Sequence, residues 1–561
     1  MALEEELELK IRGMTCDSCA FHVEEALQGV KGVLEAKVPG WRSGRARLVI
    51  ETDVSKEALA EAVKNAGYRS EELSRKQITP QQPAEGWGQE VDYDLVVIGT
   101  GGGGMAAAIR AAELGRKVCI IESVVIGGTC VNIGCVPSKA LIRTAEAYHR
   151  ARHHPFAGLD TRAEGMDWQT VLSQKDSLVA ELRQNKYIDV LESYGESISL
   201  VKGRAALQPG GTLTLESGQV CRPAKIVIAT GAAPRILPLK GAGDVAVLTS
   251  TTLMTLEKQP SSLIVVGGRA IALELGQTFS RFGTKVTVLQ RSKRLIPEHE
   301  PEIAAALADY LREEGLNIHT GVTLESVRQE GDEKVVTASL NGRQEEFRAE
   351  HVLMAVGRVP NTEGMGLEEA GVKLDKDGFI VVDEHMQTSN PNVYAAGDVT
   401  TLPKLVYVAA AGGGVAAQNA LNGNSKRLDL TVLPNVIFTD PQVATVGLTE
   451  SQAKAEGYEV KVANLPLAYV PRALAARDTR GLIKLVADKS SDRLLGAHVL
   501  AAEGGEIIQT AALAIKFGLE HGFSITNLRE MLFPYLVQVE GLKLAAQTFE
   551  KDVSQLSCCA G

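Results

Sequence analysis

The sequence predicts a multidomain protein of mixed α/β and α+β class. Two Rossmann-like nucleotide-binding domains are indicated, because glycine-rich turns follow short apolar strands at Gly99 and again at Gly267. A chain of 561 residues suggests three or four domains at about 100–200 residues each. Besides the two nucleotide-binding domains, we therefore expect a small ferredoxin-like βαββαβ domain at the N-terminus and an α+β domain at the C-terminus.

Changes in periodicity and composition place the domain boundaries. The segment 74–91 carries Gln, Pro and Gly with little periodicity, so it is predicted to be a flexible linker after the N-terminal domain, 1–73. The first nucleotide-binding domain is predicted at 92–245, with a return and central segment at 361–433, and the second at 246–360. The C-terminal domain is predicted at 434–561, and we expect its polar tail from residue 548 to be mobile.

Charge and hydropathy exclude several classes of protein. A formal net charge of −10 and a pI near 5.7 argue against nucleic acid or an anionic membrane surface as partner. The acidic first residues do not resemble a secretory signal or a transit peptide. No apolar run approaches the roughly 18 residues of a membrane span. We therefore expect a cytoplasmic protein without stable membrane insertion.

The cysteines indicate chemistry rather than a structural scaffold. Eight cysteines are too few to staple so long a chain, and Cys119 and Cys221 look like ordinary packing residues. The other six form three close pairs, Cys16/Cys19, Cys130/Cys135 and Cys558/Cys559. Paired cysteines in an intracellular chain point to redox or metal chemistry.

The first pair, Cys16 and Cys19, lies in the predicted loop between the first strand and the first helix. A helix N-terminus favours thiolates, and two thiolates suit soft ions such as Cu(I), Zn(II) or Hg(II). A thioredoxin-like or inert pair is the alternative. The surrounding Gly-Met-Thr-Cys-x-x-Cys and the strand order resemble the heavy-metal-associated domain, which implies metal binding.

The central pair, Cys130 and Cys135, predicts a redox centre. Cysteines five positions apart would point about 140° away from each other on a regular helix, so pairing them needs a bend, which Gly134 permits. Lys139 shares a helix face with Cys135, where a cation lowers the pKa of a thiol. A structural disulfide or two buried thiols is the alternative, disfavoured because the pair closely follows a nucleotide-binding turn.

The first glycine-rich turn has the context that a dinucleotide site requires. Gly99, Gly101 and Gly104 fit G-x-G-x-x-G between an apolar strand and a helix, so the backbone can approach a pyrophosphate closely. Glu122 ends the next strand, where a ribose hydroxyl needs an acceptor.

The second turn fits the pattern imperfectly. Arg269 stands where the second glycine is expected, and Ala272 replaces the third. The following strand ends in a basic cluster, Arg291, Lys293 and Arg294, instead of an acid. Such a cluster suits the 2′-phosphate of NADP, with a solvated basic turn as the alternative.

From about residue 91 to its end, the chain resembles the pyridine nucleotide–disulfide oxidoreductases. The resemblance rests on Gly-Gly-Thr-Cys-x-Asn-x-Gly-Cys-x-Pro-Ser-Lys and on the order of the motifs around it. It implies FAD and NADPH as cofactors, Cys130 as the interchange thiol, Cys135 as the thiolate against the flavin, and an ion pair between Lys139 and Glu274. It also implies a homodimer formed by the C-terminal domain. Motifs and resemblance together assign cofactor binding to Gly99, Gly101, Gly102, Gly104, Glu122, Gly128, Thr129, Lys139, Thr230, Gly231, Gly267, Arg291, Arg294, Gly357 and Asp398.

One departure from that family concerns the substrate. Members that reduce organic disulfides carry a His-Pro near the C-terminus, whereas Phe533 precedes Pro534 here and no histidine follows His521. Tyr535 is a poor base near neutrality, since a phenol has a pKa of about 10, but it is a usable ligand or donor. We therefore expect no turnover of an organic disulfide.

This departure, the N-terminal domain and the terminal Cys558–Cys559 together resemble the members of the family that reduce Hg(II) to Hg(0). Hg(II) is soft and moves by exchange between thiol pairs. The resemblance implies that the metal arrives as a thiol complex and passes from the N-terminal pair, through the partner subunit's tail, to the central pair.

Some alternatives stay open at this point. Tyr187 is the candidate for a further active-site tyrosine, and Tyr194 is the alternative. A small-molecule disulfide reductase would use the same centre, but the missing histidine argues against it. A copper- or zinc-handling flavoprotein is the other alternative, and it would need neither the tail cysteines nor a nicotinamide site.

Overall fold

The computed structural model describes residues 4–14, 17–38, 44–51, 54–78 and 93–556. Cys16, Cys558 and Cys559, which the sequence predicts to bind metal, lie outside the described residues. The chain forms two compact units, and the main boundary between them comes before Tyr93.

The N-terminal unit is an antiparallel sheet with two helices in the predicted βαββαβ order. Its strands lie in the order β2-β3-β1-β4. The side chain of Ser55 caps the second helix by accepting a 3.1 Å hydrogen bond from the Ala58 N–H. Its elements are β1 (Glu4–Arg12), α1 (Asp17–Gln28), β2 (Val33–Lys37), β3 (Arg45–Glu51), α2 (Lys56–Asn65) and β4 (Arg69–Ile78).

One predicted boundary of this unit is wrong. Strand β4 pairs with β1 along its length and continues to Ile78, so the linker does not begin at residue 74. The polar composition of residues 74–78 conceals this, because a strand at the edge of a sheet needs few apolar side chains.

The first nucleotide-binding domain carries the cysteine pair and the glycine turn at Gly99. A short π-helical turn, Gln184–Ile188, separates two of its helices. Its elements up to residue 234 are β5 (Leu95–Ile98), α3 (Gly102–Glu113), β6 (Val118–Glu122), α4 (Gly128–Ile133), α5 (Cys135–Arg150), α6 (Trp168–Arg183), α7 (Asp189–Ser193), β7 (Ile198–Lys202), β8 (Ala205–Leu207), β9 (Leu213–Leu215), β10 (Val220–Cys221), β11 (Lys225–Ile228) and β12 (Ala232–Pro234).

The second nucleotide-binding domain has a parallel sheet, β15-β14-β13-β19, and an antiparallel meander, β16-β17-β18, that the sequence analysis did not predict. Its elements are α8 (Ser250–Leu253), β13 (Ser262–Val266), α9 (Ala270–Phe282), β14 (Lys285–Gln290), α10 (Pro301–Glu313), β15 (Asn317–Thr320), β16 (Thr323–Glu330), β17 (Glu333–Leu340), β18 (Arg343–Ala349), β19 (His351–Met354) and β20 (Arg358–Pro360).

The chain then returns to the first domain, as predicted. Strand β21 (Val393–Ala395) completes a parallel sheet in the order β21-β11-β5-β6-β7. Helix α11 (Val406–Asn422) packs closely on α3, because a side chain at Gly413 would lie 2.0 Å from the Gly103 carbonyl oxygen. This return places Asp398 shortly after β21, which lies in the sheet whose strand β5 leads into the first glycine turn.

The C-terminal domain is an antiparallel sheet, β22-β23-β26-β25-β24, with helices packed against it. This arrangement confirms the α+β domain predicted at the C-terminus. Its elements are β22 (Asn435–Ile437), β23 (Gln442–Gly447), α12 (Glu450–Ala455), β24 (Val460–Pro466), α13 (Pro471–Ala476), β25 (Leu482–Asp488), β26 (Leu494–Ala501), α14 (Gly504–His521), α15 (Ile525–Glu530) and α16 (Glu540–Gln547).

The start of the tail is packed rather than mobile, contrary to the prediction. Phe549, Val553 and Leu556 pack against the core of the C-terminal domain, and Glu550 pairs with Arg529. Three apolar residues spaced along a polar segment are enough to attach it to the domain. Within the described ranges, every helix falls short of the length and apolarity needed to cross a bilayer.

Candidate active site

The two central cysteines meet at a break between two helices. Cys130 lies in α4, Cys135 begins α5, and Gly134 between them has φ −129° and ψ −110°. A side chain at Gly134 would lie 2.8 Å from the Thr129 carbonyl oxygen, so only glycine fits this bend. The bend predicted from the sequence is present, and it brings the two thiols into hydrogen-bonding contact.

The two thiols have very different proton affinities. The hydrogen bond from Cys130, followed by the charge of Lys139, lowers the pKa of Cys135 to about 7, although burial opposes the shift. The hydrogen bond to Cys135, together with burial, raises the pKa of Cys130 far above its ordinary value. Above pH 7, Cys135 is therefore a thiolate while Cys130 keeps its proton.

An ion pair next to the cysteines joins the two nucleotide-binding domains. Lys139 Nζ in α5 lies 2.7 Å from a Glu274 carboxylate oxygen in α9, which confirms the predicted pair. The Glu274 side chain is 7% exposed, and its other oxygen accepts a 2.9 Å hydrogen bond from the Phe438 N–H. The Phe438 ring centroid lies 4.5 Å from Lys139 Nζ, a cation–π distance. Phe438 was not among the predicted site residues, because nothing local links it to residues far earlier in the chain.

Helix α9 binds the C-terminal domain along one face. Gln277, one turn after Glu274, donates to the Asp440 carbonyl and accepts from the Asp440 N–H, both at 2.8 Å. Arg281, one turn further, lies 3.0 Å from the Asp440 carboxylate. Burial acts against the charge of Arg281, yet its carboxylate partners raise its pKa above the ordinary value. Three successive turns of α9 are thus bonded to residues 438–440.

The first glycine turn forms a close-packed cradle that fits the pyrophosphate of FAD. Gly99 has φ +104°, and a side chain at Gly104 would lie 1.8 Å from the Gly99 carbonyl oxygen. A side chain at Gly128 would lie 2.6 Å from the Gly101 Cα, so the cradle and the cysteine helix touch. Gly102, the first residue of α3, belongs to the same turn.

The acid at the end of β6 is held by the same turn. One Glu122 oxygen accepts from the Thr100 N–H at 3.1 Å and from the Thr100 hydroxyl at 2.5 Å. The other oxygen accepts from the Val124 N–H at 2.9 Å. Glu122 is therefore fixed at the strand end, where the sequence predicts a ribose contact.

The other predicted FAD residues gather around an arginine that the sequence analysis left unassigned. Arg358 follows Gly357, lies 3.3 Å from the Asp398 carboxylate, and contacts the Thr129 hydroxyl and the Ala232 carbonyl. The buried atom nearest that carboxylate is Nε, which faces it as an ion pair without hydrogen-bond geometry. Burial raises the pKa of Asp398 and lowers that of Arg358. Its position next to Gly357, a residue already assigned to cofactor binding, was the available signal.

The strand end at Thr230 closes the same region. The Thr230 hydroxyl donates to the Asn361 carbonyl and the Asn361 amide donates to the Thr230 carbonyl, each at 2.8 Å. The Asn361 N–H also donates to the Gly231 carbonyl at 3.0 Å. These hydrogen bonds join the segment that leads into the second nucleotide-binding domain to the segment that leads out of it.

The second glycine turn is built differently. Gly267 has φ +121°, and a side chain there would lie 2.4 Å from the Ala355 carbonyl oxygen. Arg269 is the residue before α9, and its guanidinium lies 3.4 Å from the Glu298 carboxylate. Arg291 and Lys293 are exposed, as a site for the 2′-phosphate of a nucleotide requires. Arg294 is exposed too, but its guanidinium donates to backbone carbonyls of the next turn.

The three candidate tyrosines lie in two domains: Tyr187 and Tyr194 in the first nucleotide-binding domain, and Tyr535 in the C-terminal domain. Tyr187 packs against Gly127, and burial, followed by the charges of Cys130 and Cys135, raises its pKa. Tyr194 follows α7, and both tyrosines pack against the core of the first domain. The contact with Gly127 and the influence of the two cysteines identify Tyr187 as the tyrosine beside them. Tyr535 lies on a surface segment of the C-terminal domain whose Leu532 is 93% exposed.

Cys19 is placed by α1 of the N-terminal unit. It is half-buried against that unit's core, four residues before the fully buried Val23. Its predicted partner Cys16 falls outside the described residues.

Models of three protein families match the chain. The pyridine nucleotide-disulphide oxidoreductase family matches residues 93–413, its dimerisation domain matches residues 433–546, and the heavy-metal-associated domain matches residues 8–69.

Curated relatives match over nearly the whole chain. A mercuric reductase of Staphylococcus aureus is 44% identical over 555 residues, 99% of each chain. A mercuric reductase of Bacillus cereus is 44% identical and covers 99% of this chain and 87% of its own. One of Streptomyces lividans is 46% identical over 84% of this chain and 98% of its own.

Solved structures share the fold of the larger unit. The Cu(II) complex of the HOCl-induced flavoprotein disulfide reductase RclA from Escherichia coli has a TM-score of 0.73 at 28% identity, covering 82% of this chain and 99% of that one. LpdA from Mycobacterium tuberculosis has a TM-score of 0.71 at 28% identity, covering 81% and 99%.

Proposed function

The chain belongs to the pyridine nucleotide-disulphide oxidoreductases, and from that premise we propose that it reduces Hg(II) to Hg(0) with electrons from NADPH. The observation that carries the proposal is the cysteine pair at the helix break, where one sulfur is a thiolate near neutrality and the other keeps its proton. Full-length similarity to mercuric reductases supports Hg(II) as the substrate and detoxification of mercury as the role.

The cofactors are FAD and NADPH, and the cradle at Gly99–Gly104 and the half-buried Arg358–Asp398 pair fit the first of them. Bound FAD would supply two-electron transfer between NADPH and the thiol pair. The chain's own residues hold the reacting groups: Lys139 and Glu274 bridge the two nucleotide-binding domains beside the cysteines.

The thiol chemistry balances in protons and electrons. Hg(II) would bind the Cys135 thiolate and displace the proton of Cys130, so that both sulfurs hold the metal. Two electrons from NADPH then reduce Hg(II) to Hg(0), which leaves the site. NADPH becomes NADP⁺ and a proton, and Cys130 regains the proton that it lost.

We also propose that the metal reaches this pair by exchange between thiols. Hg(II) would arrive as a thiol complex, pass through Cys16 and Cys19, and then through Cys558 and Cys559 of a homodimer's other subunit. The matching dimerisation domain and the exposed Tyr535 segment support a site completed across a two-fold interface. A subunit that lacks the tail cysteines, mixed with one that lacks the central pair, should recover one working site per dimer. No recovery in confirmed heterodimers would rule out delivery across the interface.

The substrate is tested by following NADPH absorbance with Hg(II) in excess thiol and, separately, with glutathione disulfide. We expect rapid consumption with Hg(II) and almost none with the disulfide, since Phe533 stands where a general base is needed. Turnover of the disulfide without turnover of Hg(II) would contradict the proposal. A cytoplasmic location, where NADPH is supplied, belongs to the same proposal, and cell fractionation checks it.

A further inference from the structure

A lysine of the C-terminal domain is buried where the proposed chemistry does not use it. Lys484 lies in β25 with its side chain 1% exposed. Its ammonium nitrogen donates to Glu300 and Glu450 at 2.9 Å each and to Glu302 at 3.1 Å. Burial alone would lower the pKa of Lys484, but the three carboxylates raise it above its ordinary value, so the amine keeps its charge.

Two of the three carboxylates belong to the second nucleotide-binding domain. Glu300 is the residue before α10, and Glu302 lies in the first turn of that helix. The Glu300 side chain is 3% exposed, and it also accepts a 2.6 Å hydrogen bond from the Glu450 N–H. Because such buried charges are costly to leave unpaired, Lys484 fixes the point at which the chain enters α10.

The residues before this point, 294–300, form a turn that leads back to the basic cluster. We call it the phosphate turn. Arg294 Nη2 donates to the Pro297 carbonyl at 2.6 Å and to the His299 carbonyl at 3.3 Å. Ile296 is fully buried with φ +35°, an unfavourable backbone for a β-branched residue that only firm surroundings maintain.

The phosphate turn also contacts the second glycine turn. The Ile296 N–H donates to the Gly268 carbonyl at 2.9 Å. Glu298 lies 3.4 Å from Arg269, which occupies the second glycine position. The phosphate turn is therefore attached at one end to the nucleotide-binding turn and at the other end to Lys484.

We propose that Lys484 is a positioning residue for NADPH: it holds the phosphate turn, to which Arg294 is bonded, so that the exposed Arg291 and Lys293 beside it meet the 2′-phosphate. The inference rests on the proposed phosphate site. It follows that a strand of the C-terminal domain contributes to the discrimination between NADPH and NADH. The effect should be confined to the phosphorylated nucleotide, because NADH lacks the group that the basic cluster receives.

The test is calorimetric titration of the FAD-loaded full-length protein with NADP⁺ and with NAD⁺. Lys484→Met removes the cation, and Glu300→Gln keeps the shape of the anchor but weakens it, so the second variant stays informative when the first does not fold. We expect the Kd for NADP⁺ to rise about three- to tenfold and the Kd for NAD⁺ by less than about twofold. Lys461→Met is the matched control, because it breaks a 2.6 Å pair with Asp492 in the same domain away from the phosphate turn.

An unchanged preference for NADP⁺ in the folded Glu300→Gln protein would overturn the inference, as would equal losses for both nucleotides. Arg291→Gln separates this failure from that of the phosphate site itself. If Arg291→Gln lowers NADP⁺ affinity selectively and Glu300→Gln does not, the site stands and the role of Lys484 is refuted. If Arg291→Gln has no selective effect, the phosphate site is misplaced and the inference is refuted with it.

Discussion

The two nucleotide-binding units of this chain share a strand–turn–helix–strand plan and differ where the second strand ends. In the first unit, β6 ends at Glu122, whose carboxylate accepts two hydrogen bonds from Thr100. In the second unit, β14 ends at Gln290, whose amide donates to the Arg294 carbonyl at 3.4 Å, and exposed cations follow. The same backbone thus ends in an acid in one unit and in bases in the other, and we propose that the strand end carries the selectivity between nucleotides.

The glycine turns differ in tightness as well. At Gly104 a methyl group would lie 1.8 Å from a backbone oxygen, whereas Ala272 occupies the corresponding place in the second unit and is fully buried. In the proposed assignment, the tighter turn holds FAD, which would stay bound, and the looser turn holds NADPH, whose product must leave after each turnover.

The largest expected effect breaks the tighter turn. Gly104→Ala should weaken FAD binding about 10- to 100-fold, because the backbone at Gly99 must shift to admit the methyl group. Flavin absorbance after dialysis measures the loss. The matched control is Ala272→Gly, which should keep full flavin content. Equal flavin content in both variants would show that the two turns do not differ in tightness.

Next in size is the loss of the basic cluster. Arg291→Gln combined with Lys293→Gln should raise the KM for NADPH about ten- to a hundredfold and leave that for NADH within about twofold, since only the charged contacts to a phosphate disappear. Steady-state rates with each nucleotide measure both constants. Equal losses for the two nucleotides would mean that these side chains are not at the phosphate.

A smaller effect concerns the Lys139–Glu274 ion pair, which joins the two nucleotide-binding domains. Iodoacetamide should modify reduced Cys135 faster as pH rises through about 7, because the lowered pKa makes the thiolate available above that value. Lys139→Met should move the midpoint upward by about one unit, as loss of a nearby cation does. Arg143→Gln, one turn further along α5, is the control and should leave the midpoint in place. A Lys139→Met profile that coincides with the parent's would remove Lys139 as a cause.

The smallest expected effect comes from Arg269. Its pair with Glu298 is solvent-exposed, with side chains 67% and 45% accessible, so Arg269→Gly should change the KM for each nucleotide by at most about threefold. The change should be the same for NADPH and NADH, because the pyrophosphate is common to both. A change limited to NADPH would assign Arg269 to the 2′-phosphate instead.

Local patterns predicted most of this fold. Glycine turns and apolar strands depend on neighbours in sequence, and the structure places them where they are predicted. The bend at Gly134 and the Lys139–Glu274 pair are also confirmed, the first from spacing and the second from the family resemblance.

The misses share a physical cause. Phe438, Arg358 and Lys484 each have a partner more than 100 residues away, and no local pattern reports such contacts. The packed tail was missed because its three anchoring residues are separated by polar ones. Tyr187 could not be separated from Tyr194 by sequence, since the π-helical turn that places it near the cysteines has no strong local signal.

The bonding of α9 to residues 438–440 has a consequence for motion. Glu274, Gln277 and Arg281 attach three consecutive turns of that helix to the C-terminal domain through buried or half-buried hydrogen bonds. A rigid-body swing of the second nucleotide-binding domain would have to break all of them at once. We therefore expect no hinge closure of this domain on its nucleotide. The position of the second nucleotide-binding domain relative to the C-terminal domain is therefore set when the chain folds. When NADPH binds, only side chains and surface turns are left to adjust.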